Sequence, residues 1–308
     1  MNITAGSFSP GSRGRARSCS PSRCAPAVRQ IIAGALAAGA ALACGAAGSP
    51  PPTVEWVQVW SDEFTGPAGS GIDTTQWRHD TADGCSQSNC GWGNNEKEYY
   101  RASSDNIALN GQGQLQIVAR VAPAGLTCYY GPCRYTSAKI TTHGKVWVSP
   151  GRVEARIKLA PGQGLWPAIW LLGKNVETVG WPAGGELDIM ENHGSDITTT
   201  SSAVHGPGYS GNTPFAHALP RGSLDSGFHR FAIEWDSLRI RFFVDDAVRY
   251  VVSKTDVQHY GNWVYDQPFF LILNLAVGGH FDGDPQSDAI FPATMLVDYV
   301  RVYRPNGR

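Results

Sequence analysis

The 308-residue chain has no surplus of positive charge: Lys and Arg total 25 against 26 Asp and Glu, a formal net charge of -1. Basic residues beyond position 30 are scattered, so there is no field to grip a polyanion, and nucleic acid is excluded as an expected partner. A membrane-spanning run is also missing. The main apolar stretch, Ile31 to Cys44 (IIAGALAAGAALAC), is too short to cross a bilayer comfortably. Long helical periodicity is absent after that stretch, which excludes a helix bundle, and no internal repeat suggests a solenoid or propeller. No Ser/Pro-rich linker follows Pro52, so no second module is expected behind the first. Cysteine is sparse, with seven in all and four beyond Cys44.

What remains is informative. Arg13, Arg15, Arg17, Arg23 and Arg29 precede the apolar stretch, and GAAGSPPP follows it. A basic lead, a short run of small apolar residues and a breaker-rich exit read as a signal peptide over residues 1–47 and a linker over 48–53, with the folded domain over 54–308. A secreted protein is therefore expected. The alternative is a lipid-anchored form through Cys44, against which Ala41 stands where such boxes usually carry Leu. Export makes disulfides the default for CSQSNC (Cys85, Cys90) and CYYGPC (Cys128, Cys133). Two local bridges are the simplest of the three pairings, and crossed pairing stays open.

From Val54 onward, short β-branched and aromatic runs are bounded by Gly, Pro, Asn and Asp: VEWVQVW, QLQIVARV, KVWVSP, RVEARIKLA, GELDIME, FHRFAIEW, RIRFFVDD, FFLILNLAVGG and MLVDYVRVYR. So many strands in one chain predict an all-β fold of two packed antiparallel sheets. Gly (36), Trp (10) and Tyr (11) are abundant. That composition suits turns between strands and flat aromatic faces able to stack on sugar rings, and equally a β-rich core.

Chemistry concentrates in Gly184-Gly185-Glu186-Leu187-Asp188-Ile189-Met190-Glu191. The two-residue period of a strand puts Glu186 and Asp188 on one face and Leu187 and Ile189 on the other. Glu191 is out of phase, and one extra residue, a bulge around Ile189 and Met190, would return it to the acidic face. The outer glutamates are then roughly 13 Å apart at Cα, at ~3.3 Å per residue, near enough for their side chains to lean together. Retaining glycosidases hold their two carboxyls about 5–5.5 Å apart and inverting ones about 6.5–9.5 Å, so this spacing permits the retaining case. Like charges so close cannot all ionise, which keeps one carboxyl protonated as an acid. Three acids alone would equally make a solvated edge or a calcium site. The neighbouring GLWPAIW and VGWPAGG, with Trp166, Trp170 and Trp181, favour sugar stacking, although Trp170 continues into Leu171-Leu172 and could be core.

GELDIME resembles the signature of glycoside hydrolase family 16, in its laminarinase branch. The likeness extends over nearly all of 54–308, through SDEF (61–64), GWGNNEKEYY (91–100), YTSAKITTHGK (135–145), GRVEARIKLAPGQGLWPAIWLLG (151–173), FHRFAIEW (228–235) and LILNLAVGG to VDYVRVYR (271–304). The resemblance implies a β-jelly-roll sandwich with an open concave cleft and retaining endo-hydrolysis of β-1,3-glucan. Glu186 would be the nucleophile, Glu191 the acid/base and Asp188 the assisting carboxylate, with Trp166, Trp170, Trp181, Asn94 and His205 in the cleft. The two residues between Asp188 and Glu191 match the bulged form of the motif. Lys139 stands where relatives commonly have Arg, keeping the charge without the planar two-point grip. Glu63 and Asp298 match positions at which the family holds a structural calcium; no cofactor is implied for catalysis. The expected partner is a polysaccharide, and the expected state a monomer. A β-1,3-1,4-glucanase, a galactanase, a wall-remodelling transglycosylase and a non-catalytic β-glucan receptor are competing readings on the same fold.

Overall fold

The computed structural model describes residues 54–307; the segments read as signal peptide and linker, and Cys44, lie outside the described residues. Its period-two segments assemble into two sheets. One has ten strands, in the order Ala247–Ser253, Arg239–Val244, Phe228–Trp235, Arg152–Lys158, Ala293–Pro305, Leu115–Val121, Tyr135–Ser137 and Glu98–Tyr100, with Trp56–Asp62 joined to Ala293–Pro305 and Ile107–Leu109 to Leu115–Val121. The other has seven: Ala216–Ala218, Ser201–His205, Glu186–Glu191, Leu165–Gly173, Phe269–Val277, Lys139–Thr141 and Arg78–Asp80. Spatial neighbours are mostly distant in sequence, as in a jelly roll. The expected all-β sandwich is the fold.

Alternation decides which face each residue joins. On Phe269–Val277, Leu271, Leu273 and Leu275 are fully buried between the sheets, and so are Ile169 and Leu171 on the neighbouring strand. They meet Val153, Ala155, Ile157, Phe231 and Ile233 of the larger sheet. Each such aliphatic or aromatic side chain contributes about 1.5–3 kcal/mol by leaving water. The alternate residues Ile272 and Asn274 face the opposite way, onto the open side of the seven-stranded sheet.

One strand expectation needs correcting, and one further strand joins the set. Lys145–Pro150 is not a strand: the Lys145 and Val146 N–H groups donate back to the Thr142 carbonyl (both 2.9 Å), and only Val148 bridges to Phe269. That local turn takes donors a ladder would need. Conversely, Leu165–Gly173 is a nine-residue strand at the centre of the smaller sheet despite Pro167. Pro167 sits just past the last residue paired with the catalytic segment, Ala168, and its carbonyl accepts from Asn192 N–H (3.2 Å) on that side. Its missing donor therefore falls where the partner strand has ended, a position proline tolerates.

Candidate active site

The bulge expected in the acidic strand is present. Leu172 pairs with Glu186, Trp170 with Asp188, Ile169 with Met190 and Ala168 with Glu191, leaving Ile189 as the extra residue. The odd residue resets the phase, so Glu186, Asp188 and Glu191 all share the open face with Trp170 and Ala168, while Leu187, Ile189 and Met190 enter the core. The Ile189 carbonyl, displaced from the ladder, accepts from Ser202 Oγ at 2.8 Å, which keeps the irregularity satisfied.

Each carboxyl has its own partner. Trp181 Nε1 donates to Glu186 Oε2 (2.6 Å) and Trp166 Nε1 to Glu191 Oε1 (3.1 Å), while His205 Nε2 lies 3.1 Å from Asp188 Oδ2. One ligand atom from each of Glu186, Asp188 and His205 falls within 4.8 Å of the others. Burial pushes the Glu186 carboxyl up to about 8, reinforced by Asp188 and opposed by His205 and the Trp181 N–H. Burial likewise lifts Asp188 to about 7. Glu191 is raised well above the usual carboxylate range, by burial first and then by Asp188 and Glu186. Glu191 is thus the carboxyl best placed to remain protonated. The Asp188 charge also raises Glu186 and Glu191, so a negative charge on one of the three carboxyls disfavours a second.

The carboxyls stand at the junction of two hollows. One, about 270 Å³, is lined by Trp92, Glu96, Tyr100, Lys139, Trp166 and Trp170 among others. The second, about 530 Å³, is lined by Asn94, Trp166, Trp181, His205 and Phe281. Glu186 and Glu191 border both. All the cleft residues named from the sequence therefore come together here.

Their surroundings add what the sequence reading missed. Trp166 stacks on Phe281 (4.3 Å between ring centroids, 13°), and Phe281 stacks in turn on His193 (3.8 Å, 6°), so part of Trp166 is already covered by protein. Trp181 is 52% exposed and is the freer platform. Phe281 follows Gly278-Gly279, where Gly279 has a φ of +90° and an added Cβ would meet the Asn94 carbonyl at 2.6 Å. Glycine thus lets the Asn94 loop lie against this turn, and His280 N–H donates to Asn94 O at 2.9 Å. Lys139 is buried, 4.0 Å from the centre of the Trp92 ring, 5.2 Å from that of Trp170 and 4.0 Å from Asp80 Oδ2. Its ammonium braces two rings of the cleft, a use the sequence did not suggest.

Glu63 and Asp298, the positions at which the resemblance implies calcium, are each paired with an arginine. Both Glu63 oxygens accept from Arg301 (2.9 and 2.8 Å), and Asp298 pairs with Arg156 Nη1 at 2.7 Å. The disulfides are the local ones, Cys85–Cys90 and Cys128–Cys133. Asp83 ties the two loops together, accepting from Cys85 N–H (3.2 Å) and Tyr129 N–H (2.7 Å).

Residues 86–301 match the family described as Glycosyl hydrolases family 16. The chain belongs to that family. It is 40% identical over 264 residues to a protein named Beta-glucanase from Rhodothermus marinus, covering 81% of this chain and 85% of the relative. The catalytic domain of an endo-1,3-beta-glucanase (laminarinase) from Thermotoga petrophila aligns with a TM-score of 0.76 and 42% identity over 83% of this chain and all of that one. The endo-beta-1,3-glucanase from Pyrococcus furiosus gives 0.75 and 42%, over 82% and 95%. The family 16 chain is accordingly a glycoside hydrolase built as a jelly roll, with its acidic strand on the open face. No helix among the described residues is long and apolar enough to cross a membrane.

Proposed function

We propose that the protein is an endo-acting β-1,3-glucan hydrolase that retains anomeric configuration. The observation that carries the endo reading is the position of Glu186 and Glu191 on the border of both hollows: a polymer crossing them has subsites on either side of the scissile bond. The β-1,3 linkage comes from the relatives named above. Glu186 attacks the anomeric carbon, and Trp181 steadies its charge while Asp188 draws the shared proton away. Glu191, protonated, gives its proton to the leaving oxygen, and a glycosyl ester forms on Glu186. Glu191 then takes a proton from the incoming water, the ester bond to Glu186 breaks, and the product leaves with its β configuration. His205, on the neighbouring strand and 3.1 Å from Asp188 Oδ2, would limit how far Asp188 can swing away from Glu186.

The decisive experiment digests laminarin, curdlan, lichenan and barley β-glucan separately with residues 50–308 and follows fresh laminarin product by proton NMR. Short laminari-oligosaccharides appearing first as the β-anomer support the reading. Initial α-anomer would refute retention, and cleavage of lichenan and barley glucan alone would move the substrate to mixed-linkage glucan. The leader over 1–47 and the two disulfides support export, and the chain is proposed to act outside the cell as a monomer. A single sedimenting species near 30 kDa would agree with the latter, whereas a dimer would not.

A further inference from the structure

At the base of the smaller hollow lies a set of buried polar groups that the reaction as described does not use. Glu96, Glu98 and Tyr100 alternate along one short segment and are 5%, 1% and 0% exposed. Their hydrogen bonds run in one direction. The Trp170 indole is a donor only, so Asn274 must turn its oxygen towards it (2.8 Å) and its amide nitrogen towards Tyr100 Oη (3.1 Å). The Tyr100 hydroxyl then donates onward to Glu96 Oε2 (3.4 Å), and from the cleft wall Asn94 Nδ2 donates to Glu96 Oε1 (3.1 Å). Glu96 is where two lines of donors end.

Beside it, Glu98 Oε2 accepts from Val277 N–H (2.7 Å), but Glu98 Oε1 is buried with no partner. An orphan carboxylate oxygen next to a second carboxyl is relieved if it carries a proton and donates it to the neighbour. Burial, with Glu96 second, pushes Glu98 well above the usual range, in agreement with that placement. Glu96 is also raised by burial, with Asn94, Lys139, Glu98 and Tyr100 acting to lower it. The other titratable groups near this pair are Lys139, which is itself beside Asp80 and senses Glu186, and Tyr130 of the Cys128–Cys133 loop.

We propose that Glu96 is a positioning residue for glucan binding: a carboxylate acceptor, kept so by a proton on Glu98, that fixes both the Asn94 amide on the cleft wall and, through Tyr100 and Asn274, the Trp170 indole on its floor. This rests on the glucan-cleft reading for its substrate. Glutamine at 96 offers one acceptor oxygen and a competing amide donor, so either Asn94 or Tyr100 loses its partner and turns. Glutamine at 98 keeps both the donor towards Glu96 and the acceptor towards Val277.

The test measures kcat and KM on laminari-oligosaccharides from pH 5 to 9 for the wild type, Glu96→Gln, Glu98→Gln and Tyr100→Phe. Glu96→Gln should raise KM about tenfold with kcat little altered, and Tyr100→Phe, which cuts only the Trp170 branch, about threefold. Wild-type KM should climb at alkaline pH as Glu98 loses its proton and two anions meet; Glu98→Gln should hold a flat KM close to the wild-type value at pH 6. If Glu96→Gln fails to fold, Tyr100→Phe together with the Glu98→Gln pH profile decides. Unchanged KM in both Glu96→Gln and Tyr100→Phe overturns the inference, as does a loss confined to kcat, or a Glu98→Gln variant as impaired as Glu96→Gln. Failure of the wild type to cut laminarin would count against the substrate reading instead.

Discussion

Two of the protein's groups of carboxyls, one on each sheet, are treated in opposite ways. On the outer face of the ten-stranded sheet, Glu154 and Glu234 flank Arg152, which bonds Glu154 at 2.6 Å and Glu234 at 2.9 Å; Tyr299 adds a bond to Glu154 (2.7 Å) and Arg241 one to Glu234 (2.8 Å). Burial works to raise Glu154, but the bonds from Arg152 and Tyr299 prevail and hold it below its ordinary value. Asp188 is buried and Glu186 and Glu191 partly so, with indole N–H donors and a nearby imidazole in place of guanidinium, and all three are raised. Arginine makes a buried acid a permanent anion suited to structure; its absence leaves acids that can pass protons, at a cost to the fold.

Exchanging these treatments should show the difference, most strongly in turnover. Glu191→Gln or Glu186→Gln should lower kcat on laminarin by about 10⁴-fold or more, roughly 5 kcal/mol of barrier, with an unchanged circular dichroism spectrum. A folded variant of either kind with wild-type kcat would remove it from the mechanism. Arg152→Met strips the other site of its central cation and should cost about 3–5 kcal/mol of stability by urea denaturation, with activity retained in the folded fraction. A change below 1 kcal/mol would mean that Arg241 and Tyr299 suffice.

The active-site acids should show the reverse sign. Glu186 keeps in the folded state a proton that the unfolded chain releases above its ordinary value of 4.5, so its contribution to stability falls as pH rises from 4.5 towards about 8. Glu186→Gln removes that slope. Its melting temperature should match the wild type at pH 4 and exceed it at pH 8 by roughly ten degrees, corresponding to at most about 5 kcal/mol. A gain at pH 4 as large as at pH 8 would exclude proton linkage as the cause. Smallest is Trp181→Phe, which keeps a ring over the cleft but removes the N–H that bonds Glu186. It should lower kcat about tenfold and move the acid limb of the kcat/KM profile upward in pH, since the charged Glu186–Asp188 pair loses a donor. An unshifted limb would assign Trp181 to sugar contact alone.

The acidic strand could be read directly from the sequence because the rule governing it is local: a period of two, broken once between Asp188 and Glu191, predicts a bulge that the pairing of Met190 with Ile169 displays. The sandwich followed from the many short alternating runs for the same reason. Trp170 could not be settled locally, because its role as cleft floor depends on Asn274, over a hundred positions away. Phe281, Glu96 and Tyr100 were hidden likewise, since sheet order rather than chain order carries them to the site. That Glu63 and Asp298 would each be paired with an arginine, Arg301 and Arg156, was likewise not legible, since the pairing is set by sheet register.

Each disulfide spans five positions, and Asp83 ties their loops to each other beside the Asn94–Glu98 segment rather than to the sandwich core. Rings that small remove little freedom from the chain as a whole, about 2 kcal/mol apiece, so they act as local clips on one end of the cleft. That end of the cleft is therefore a locally braced piece: reducing the two bridges would loosen the rim around Asn94 while leaving the acidic strand, held by its own ladder, in place.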